Sequence, residues 1–226
     1  MTGTRRLVLA TANPHKVEEM AAILAAAGLP LTVHAARSIG PAPTIVEDQD
    51  SFLQHASLKA RGIARWLAGR GEPGATLVLA DDSGVCVDAL DGAPGVDSAV
   101  FAGPEADDAA NNAHLLAELA ARGRERSPAH YVCLLALTRV DGAPLPPLPG
   151  AEPSEPDLGI FVGRWDGEIR RARAGSGGFG YDPHFWIEGP GGSRAVAELA
   201  PDEKHARSHR GQAVRRLLGA LPVLIG

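Results

Sequence analysis

The feature that most constrains this chain is a repeated switch of hydrophobic period. Short continuous apolar runs alternate with segments whose apolar residues fall three and four apart. Residues 5–11, RRLVLAT, read as a buried strand. Pro14 then opens a helix-periodic segment carrying Val17, Met20, Ala21 and Leu24, and Gly28 stops it. Strand-like runs recur at 31–35, 75–80, 85–90 and 131–140, the run DDSG ending the 75–80 strand. Helical patterns recur at 52–68, at 104–121 with Leu115, Leu116 and Leu119 inward, and after Ser208, with Val214, Leu217, Leu218 and Leu221 inward. Ser51 and Gln54 form a capping-box pattern for the 52–68 helix, whose apolar face includes Leu58 and Ile63. Residues 159–173 read as a strand pair turning at Asp166-Gly167. Alternation of this kind predicts an α/β fold with a mixed sheet.

At 226 residues the chain is long enough for one domain with a sizeable core and too short for two comfortable ones. Residues 141–157 hold six prolines and little that packs, so they read as an exposed loop inserted in that single 1–226 domain. Net charge is −5, whereas a duplex-binding protein normally carries a basic balance; nucleic acid is not an expected partner. No apolar stretch approaches a membrane span, and a reducing cytoplasm is the expected setting. The two cysteines, Cys86 and Cys133, sit in apolar runs and read as small buried hydrophobes.

Four segments carry chemistry. Thr11, Asn13 and Lys16 lie at a strand-to-helix junction, where free backbone amides and the positive helix end suit an anion; an ordinary turn with a solvated lysine is the blander reading. Asp81-Asp82-Ser83-Gly84 follows a buried run, and adjacent carboxylates suit a hard cation that takes oxygen ligands, with Glu47 able to complete the set. The glycine-rich run 177–183 lets backbone approach a flat ligand, and Phe179 and Tyr181 are candidates to stack on a base. Lys204 with His209 and Arg210 marks a second anion site. Each is weak alone. Together they supply the parts of a nucleoside triphosphate site.

At these residues the chain resembles the inosine triphosphate pyrophosphatases, the Ham1-like enzymes that hydrolyse non-canonical purine nucleoside triphosphates. The resemblance rests on Thr11-x-Asn13-x-x-Lys16, on ADDSGVCVDALDGAPGVDSAVFAG at 80–103, on GFGYDPHF at 178–185, and on ELAPDEKHARSHRGQA at 198–213. It implies the Maf/Ham1 type of fold, an elongated mixed sheet with flanking helices and two lobes around a cleft. It also implies a homodimer and Mg2+-dependent conversion of ITP, dITP or XTP to the monophosphate and pyrophosphate. By the same resemblance Asp82 is the general base and a metal ligand, with Glu47 and Asp81 assisting. Thr11, Asn13, Lys16, Lys59, Ser83 and Lys204 hold phosphates or sugar. Phe179, Gly180, Tyr181 and Asp182 line the base pocket, and His209 and Arg210 read the base edge. The chain departs from the family pattern at Gln54-His55-Ala56, where Glu-Asn-Ala is usual, and at Val100-Phe101, where Arg-Tyr is usual. The competing readings are a Maf-like enzyme acting on pyrimidine or modified nucleotides, a nucleotide sensor without turnover, and an RNA-binding or structural protein.

Overall fold

The computed structural model describes residues 5–11, 13–46, 50–189 and 191–225. The strands are β1 (Arg5–Leu9), β2 (Leu31–Ala35), β3 (Leu77–Val87), β4 (Arg126–Arg139), β5 (Gly159–Arg170), β6 (Phe185–Ile187) and β7 (Arg194–Ala195). The helices are α1 (Pro14–Ala26), α2 (Ala36–Ile39), α3 (Phe52–Ala68), α4 (Asp108–Ala121), α5 (Pro201–Arg207) and α6 (His209–Ile225). The sheet order is β2-β1-β3-β4-β5-β6-β7. β1 pairs in parallel with both β2 and β3, whereas β6 pairs antiparallel with β5 and β7, so the sheet is mixed as expected.

The chain divides into two compact units. The first comprises residues 1–82, 134–162 and 212–226. Its sheet residues alternate in facing. Val8, Ala10, Val78 and Ala80 pack on Ala56, Ala60, Ile63 and Ala64 of α3. The small residues on both sides permit close approach of helix to sheet. α3 starts where Ser51 Oγ accepts the Gln54 N–H at 3.2 Å. The core face of this helix differs in part from the expected one, because Leu58 is half-buried while His55 and Ser57 are buried.

The second unit comprises residues 83–133 and 163–211. Its core gathers Val85, Val87, Leu115, Leu119, Tyr131, Trp165, Ile169 and Phe185. Asp107 caps α4 by accepting the Ala110 N–H at 2.8 Å, so the helix begins four residues later than its pattern suggested. Ser208 caps α6 through the Gly211 N–H at 3.0 Å, as expected.

Two strand expectations are corrected. DDSG does not end a strand: β3 runs unbroken through Asp81, Asp82, Ser83 and Gly84. Gly84 is there for space, since a Cβ would collide with the Gly95 carbonyl oxygen. Asp166-Gly167 is not a turn but lies inside β5. Here too the glycine admits a neighbour, because a Cβ would sit 2.5 Å from the Trp186 carbonyl oxygen and 2.6 Å from the Phe185 ring. The proline-rich segment is tied to the first unit. Its prolines at 144, 146, 147 and 149 are exposed, but Leu145 and Leu148 tuck partly inward beside Gly159. Arg61 of α3 grips it, with Nε 2.8 Å from Asp157 Oδ2 and Nη2 2.7 Å from Glu155 Oε2.

Candidate functional site

Parallel pairing of β1 with β3 aligns Leu9 with Leu79 and brings Asp81 level with Thr11. β1 lies between β2 and β3, so successive connections leave it in opposite directions. The carboxyl end of such a strand is where open α/β sheets place ligands. Thr11 and Asn13 stand at that end. Asn13 Oδ1 caps α1 by accepting the Lys16 N–H at 3.4 Å, and Thr11 Oγ1 accepts the Asn13 N–H at 3.2 Å.

Strand alternation then separates the two aspartates. Asp82 falls on the same side as Ala80, the side covered by α3. There Lys59 Nζ donates to its Oδ1 at 2.6 Å, and His55 Nδ1 stands 3.6 Å from its Oδ2. Asp81 is ion-paired with Lys16 of α1. The aspartates are 2% and 6% exposed, and buried charge is costly unless opposed. Two lysines oppose two carboxylates here. A cavity of about 570 Å3 opens beside Asp81 and Lys59, walled also by Thr11, Lys16, Arg37 and the 40–45 loop. The donor set suits a hard cation, since it consists of carboxylate oxygens already holding ammonium ions where a metal would bring charge. Among the described residues no third carboxylate, histidine or cysteine joins them to make a preformed cage. One or two carboxylates plus substrate phosphates are sufficient for magnesium. Glu47 lies outside the described residues.

The second unit holds a separate cluster. The loop after β5 carries Phe179, Gly180, Tyr181 and Asp182. Asp182 is buried; its Oδ2 accepts from Lys204 Nζ at 2.6 Å and from the Phe179 N–H at 3.0 Å. Gly178 has φ +74°, and a Cβ there would collide with that same carboxylate. Lys204 Nζ sits 4.4 Å from the centre of the Phe179 ring and the Arg210 guanidinium 5.8 Å from it. Arg210 is nearly fully buried and donates from Nη2 to Ser83 Oγ at 2.9 Å. His209 stacks on Tyr131 with ring centres 4.6 Å apart. Burial, reinforced by the Asp182 charge, pushes the Tyr131 phenol well above its ordinary pKa, so it stays protonated with its hydroxyl 3.4 Å from Asp182 Oδ1. Tyr181 is also buried and donates to the Ser98 carbonyl at 2.8 Å; burial raises its pKa as well. Its ring belongs to the core, leaving only main chain to meet a ligand.

Every expected residue among those described thus falls in one of two clusters. Thr11, Asn13, Lys16, Lys59, Asp81 and Asp82 belong to the first unit. Ser83, Phe179, Gly180, Tyr181, Asp182, Lys204, His209 and Arg210 belong to the second. Sequence reading gave no role to Arg37 in the cavity wall, His55 beside Asp82, or Tyr131 under His209. His55 had a signal, its departure from the family pattern. Tyr131 had none, because a tyrosine in an apolar strand is ordinary.

Buried carboxylates held by lysines in one unit, and an aromatic and cationic loop in the other, are set on a mixed α/β sheet. Residues 7–220 match the model of the Ham1 family. The chain belongs to that family. It is 41% identical over 221 residues to the dITP/XTP pyrophosphatase of Streptomyces coelicolor, covering 98% of this chain and 99% of that one. It is 43% identical over 216 residues to the dITP/XTP pyrophosphatase of Opitutus terrae, covering 94% and 96%. Among solved structures, a HAM1 protein from Coxiella burnetii superposes with a TM-score of 0.78 at 35% identity, covering 95% and 96%. A nucleoside-triphosphatase / dITP/XTP pyrophosphatase from Mycobacterium abscessus does so with 0.65 at 36% identity, covering 94% and 97%.

Proposed function

We infer that the chain is a nucleoside triphosphate pyrophosphatase that hydrolyses non-canonical purine nucleotides (dITP, ITP and XTP) to the monophosphate and pyrophosphate. The observation that carries this reading is Asp82, a buried carboxylate hydrogen-bonded to Lys59 in a chain whose relatives carry that activity in their names. Asp82 takes a proton from the water that attacks the α-phosphorus, and pyrophosphate leaves with the electron pair of the broken α–β bond. Thr11, Asn13, Lys16 and Lys59 bind phosphate oxygens, the lysines exchanging their carboxylate partners for the triphosphate. Mg2+ is the proposed cofactor, held by Asp81 and Asp82 with Glu47, and when bound it neutralises charge on the triphosphate.

Base choice falls to the second unit. Phe179 supplies an apolar ring for the base, and Lys204 and Ser83 supply donors for phosphate or sugar. Arg210 and His209 offer donors to the 6-oxo group of hypoxanthine or xanthine. Adenine presents an amino donor there, leaving those groups unsatisfied, and a buried hydrogen-bonding site discriminates strongly on that ground. The working form is a cytoplasmic homodimer, a point for sedimentation analysis.

The test is Asp82→Asn. Turnover of ITP falls by roughly 100-fold or more while nucleotide binding, measured by calorimetry, changes little. Turnover near that of the unsubstituted protein removes Asp82 from the role of base.

A further inference from the structure

Gly180 stands in the middle of the proposed base loop, in the left-handed region at φ +60°. Packing does not hold it: among the described residues, no atom lies within 4 Å of where a Cβ would stand. Beside it lies a cavity of about 440 Å3, walled by α4, Arg173 and residues 176–180. A glycine so placed is free to rotate the peptide planes on either side.

Two side chains of α4, one turn apart, prevent this. Asp108 Oδ2 accepts the Gly180 N–H at 2.6 Å. Asn112 Nδ2 donates to the Gly180 carbonyl at 2.8 Å and to the Asp108 carbonyl at 2.7 Å. Two carbonyl acceptors fix the amide orientation, with the Asn112 Nδ2 toward Gly180 and Asp108.

We propose that Asp108 and Asn112 form a fork that fixes the peptide planes around Gly180 and so sets which main-chain group faces the base. They are positioning residues, and the proposal rests on the base-loop reading given above. In a trans peptide the carbonyl and the following N–H point opposite ways. With the Gly180 carbonyl drawn to α4, the Tyr181 N–H points away from it. A flipped peptide would put a carbonyl where that N–H stands. An N–H suits a 6-oxo base, and a carbonyl suits a 6-amino base. The fork therefore selects against adenine by holding one peptide orientation.

The test compares Asn112→Leu, Asp108→Leu and the conservative Asp108→Asn, which keeps an acceptor oxygen. Amide hydrogen exchange across residues 179–182 reads the fork itself, and kcat/KM for ITP against ATP reads its consequence. The two leucine variants exchange at least tenfold faster at Gly180. Their ITP-to-ATP ratio falls roughly tenfold, through KM more than kcat, while Asp108→Asn keeps most of the ratio. Unchanged exchange overturns the fork. Faster exchange with an unchanged ratio overturns its part in specificity. A natural chain without preference for ITP over ATP would instead sink the base-loop reading and its specificity consequence, while the exchange result still decides whether the fork holds the loop.

Discussion

Lys59 and Lys16 balance a pair of carboxylates that the fold takes almost wholly out of water. Removing one member of a buried ion pair is far more disruptive than exchanging the pair for apolar residues. Lys59→Met is therefore expected to cost about 3 kcal/mol. For a chain of this size that lowers Tm by roughly 9 °C. If the oxygens also bind a cation, Mg2+ restores more of the lost Tm in Lys59→Met than it adds to the unsubstituted protein. Thermal melts with and without Mg2+ measure both, and an unaltered Tm in the variant contradicts the ion-pair account. At this scale the lysines, aspartates and loop residues were legible because their chemistry is unusual where they sit. Asn112 and Tyr131 were not, because their importance comes from what the fold places opposite them, Gly180 and His209 respectively.

β3 shows how an element misleads when read locally. Its Asp-Asp-Ser-Gly run has the composition of a turn, yet eleven residues continue as one strand, with Lys16 paired to Asp81, Lys59 donating to Asp82 and Arg210 donating to Ser83. Ser98 Oγ also accepts the Val85 N–H at 2.9 Å. Gly84 permits the approach of Gly95 and Ser98 to this strand, so Gly84→Ala should destabilise by roughly 3 kcal/mol or more, readable by denaturant titration. A change below about 0.5 kcal/mol would mean that the segment yields easily. The proline-rich segment is largely exposed, and its composition does not reveal the grip of Arg61. Hydrogen bonding to that guanidinium holds the Asp157 and Glu155 carboxyls below their ordinary range. Their contribution is complete above the unfolded-state values of about 4 to 4.5 and is lost as pH falls through the lower folded values. Arg61→Met removes about 1 kcal/mol through Asp157 at neutral pH, after allowance for solvent screening. The difference from the unsubstituted chain should vanish once pH has fallen through the lowered folded values, in acid titrations followed by circular dichroism. A difference that persists there would place the effect in packing of the arginine stem.

For the molecule as a whole, hydrophobic period was enough to anticipate the α/β class, the strand-helix-strand start and the final helix. It was not enough for the short strands β6 and β7 or for α5, which consist of three, two and seven residues and take their form from the neighbours they pair with or pack on. The division into two compact units follows no break in composition, since β3, β4 and β5 each contribute residues to both. The function proposed for this molecule is pyrophosphate release from non-canonical purine nucleoside triphosphates. The direct measurement is pyrophosphate release from ITP, dITP, XTP, GTP, ATP and dTTP, each with Mg2+ and with a chelator. The account predicts strong Mg2+-dependent release from ITP, dITP and XTP, and far less from ATP and GTP. Release chiefly from dTTP, or no release from any of them, would contradict it, the first pointing to a pyrimidine-directed enzyme and the second to a sensor that binds without turnover.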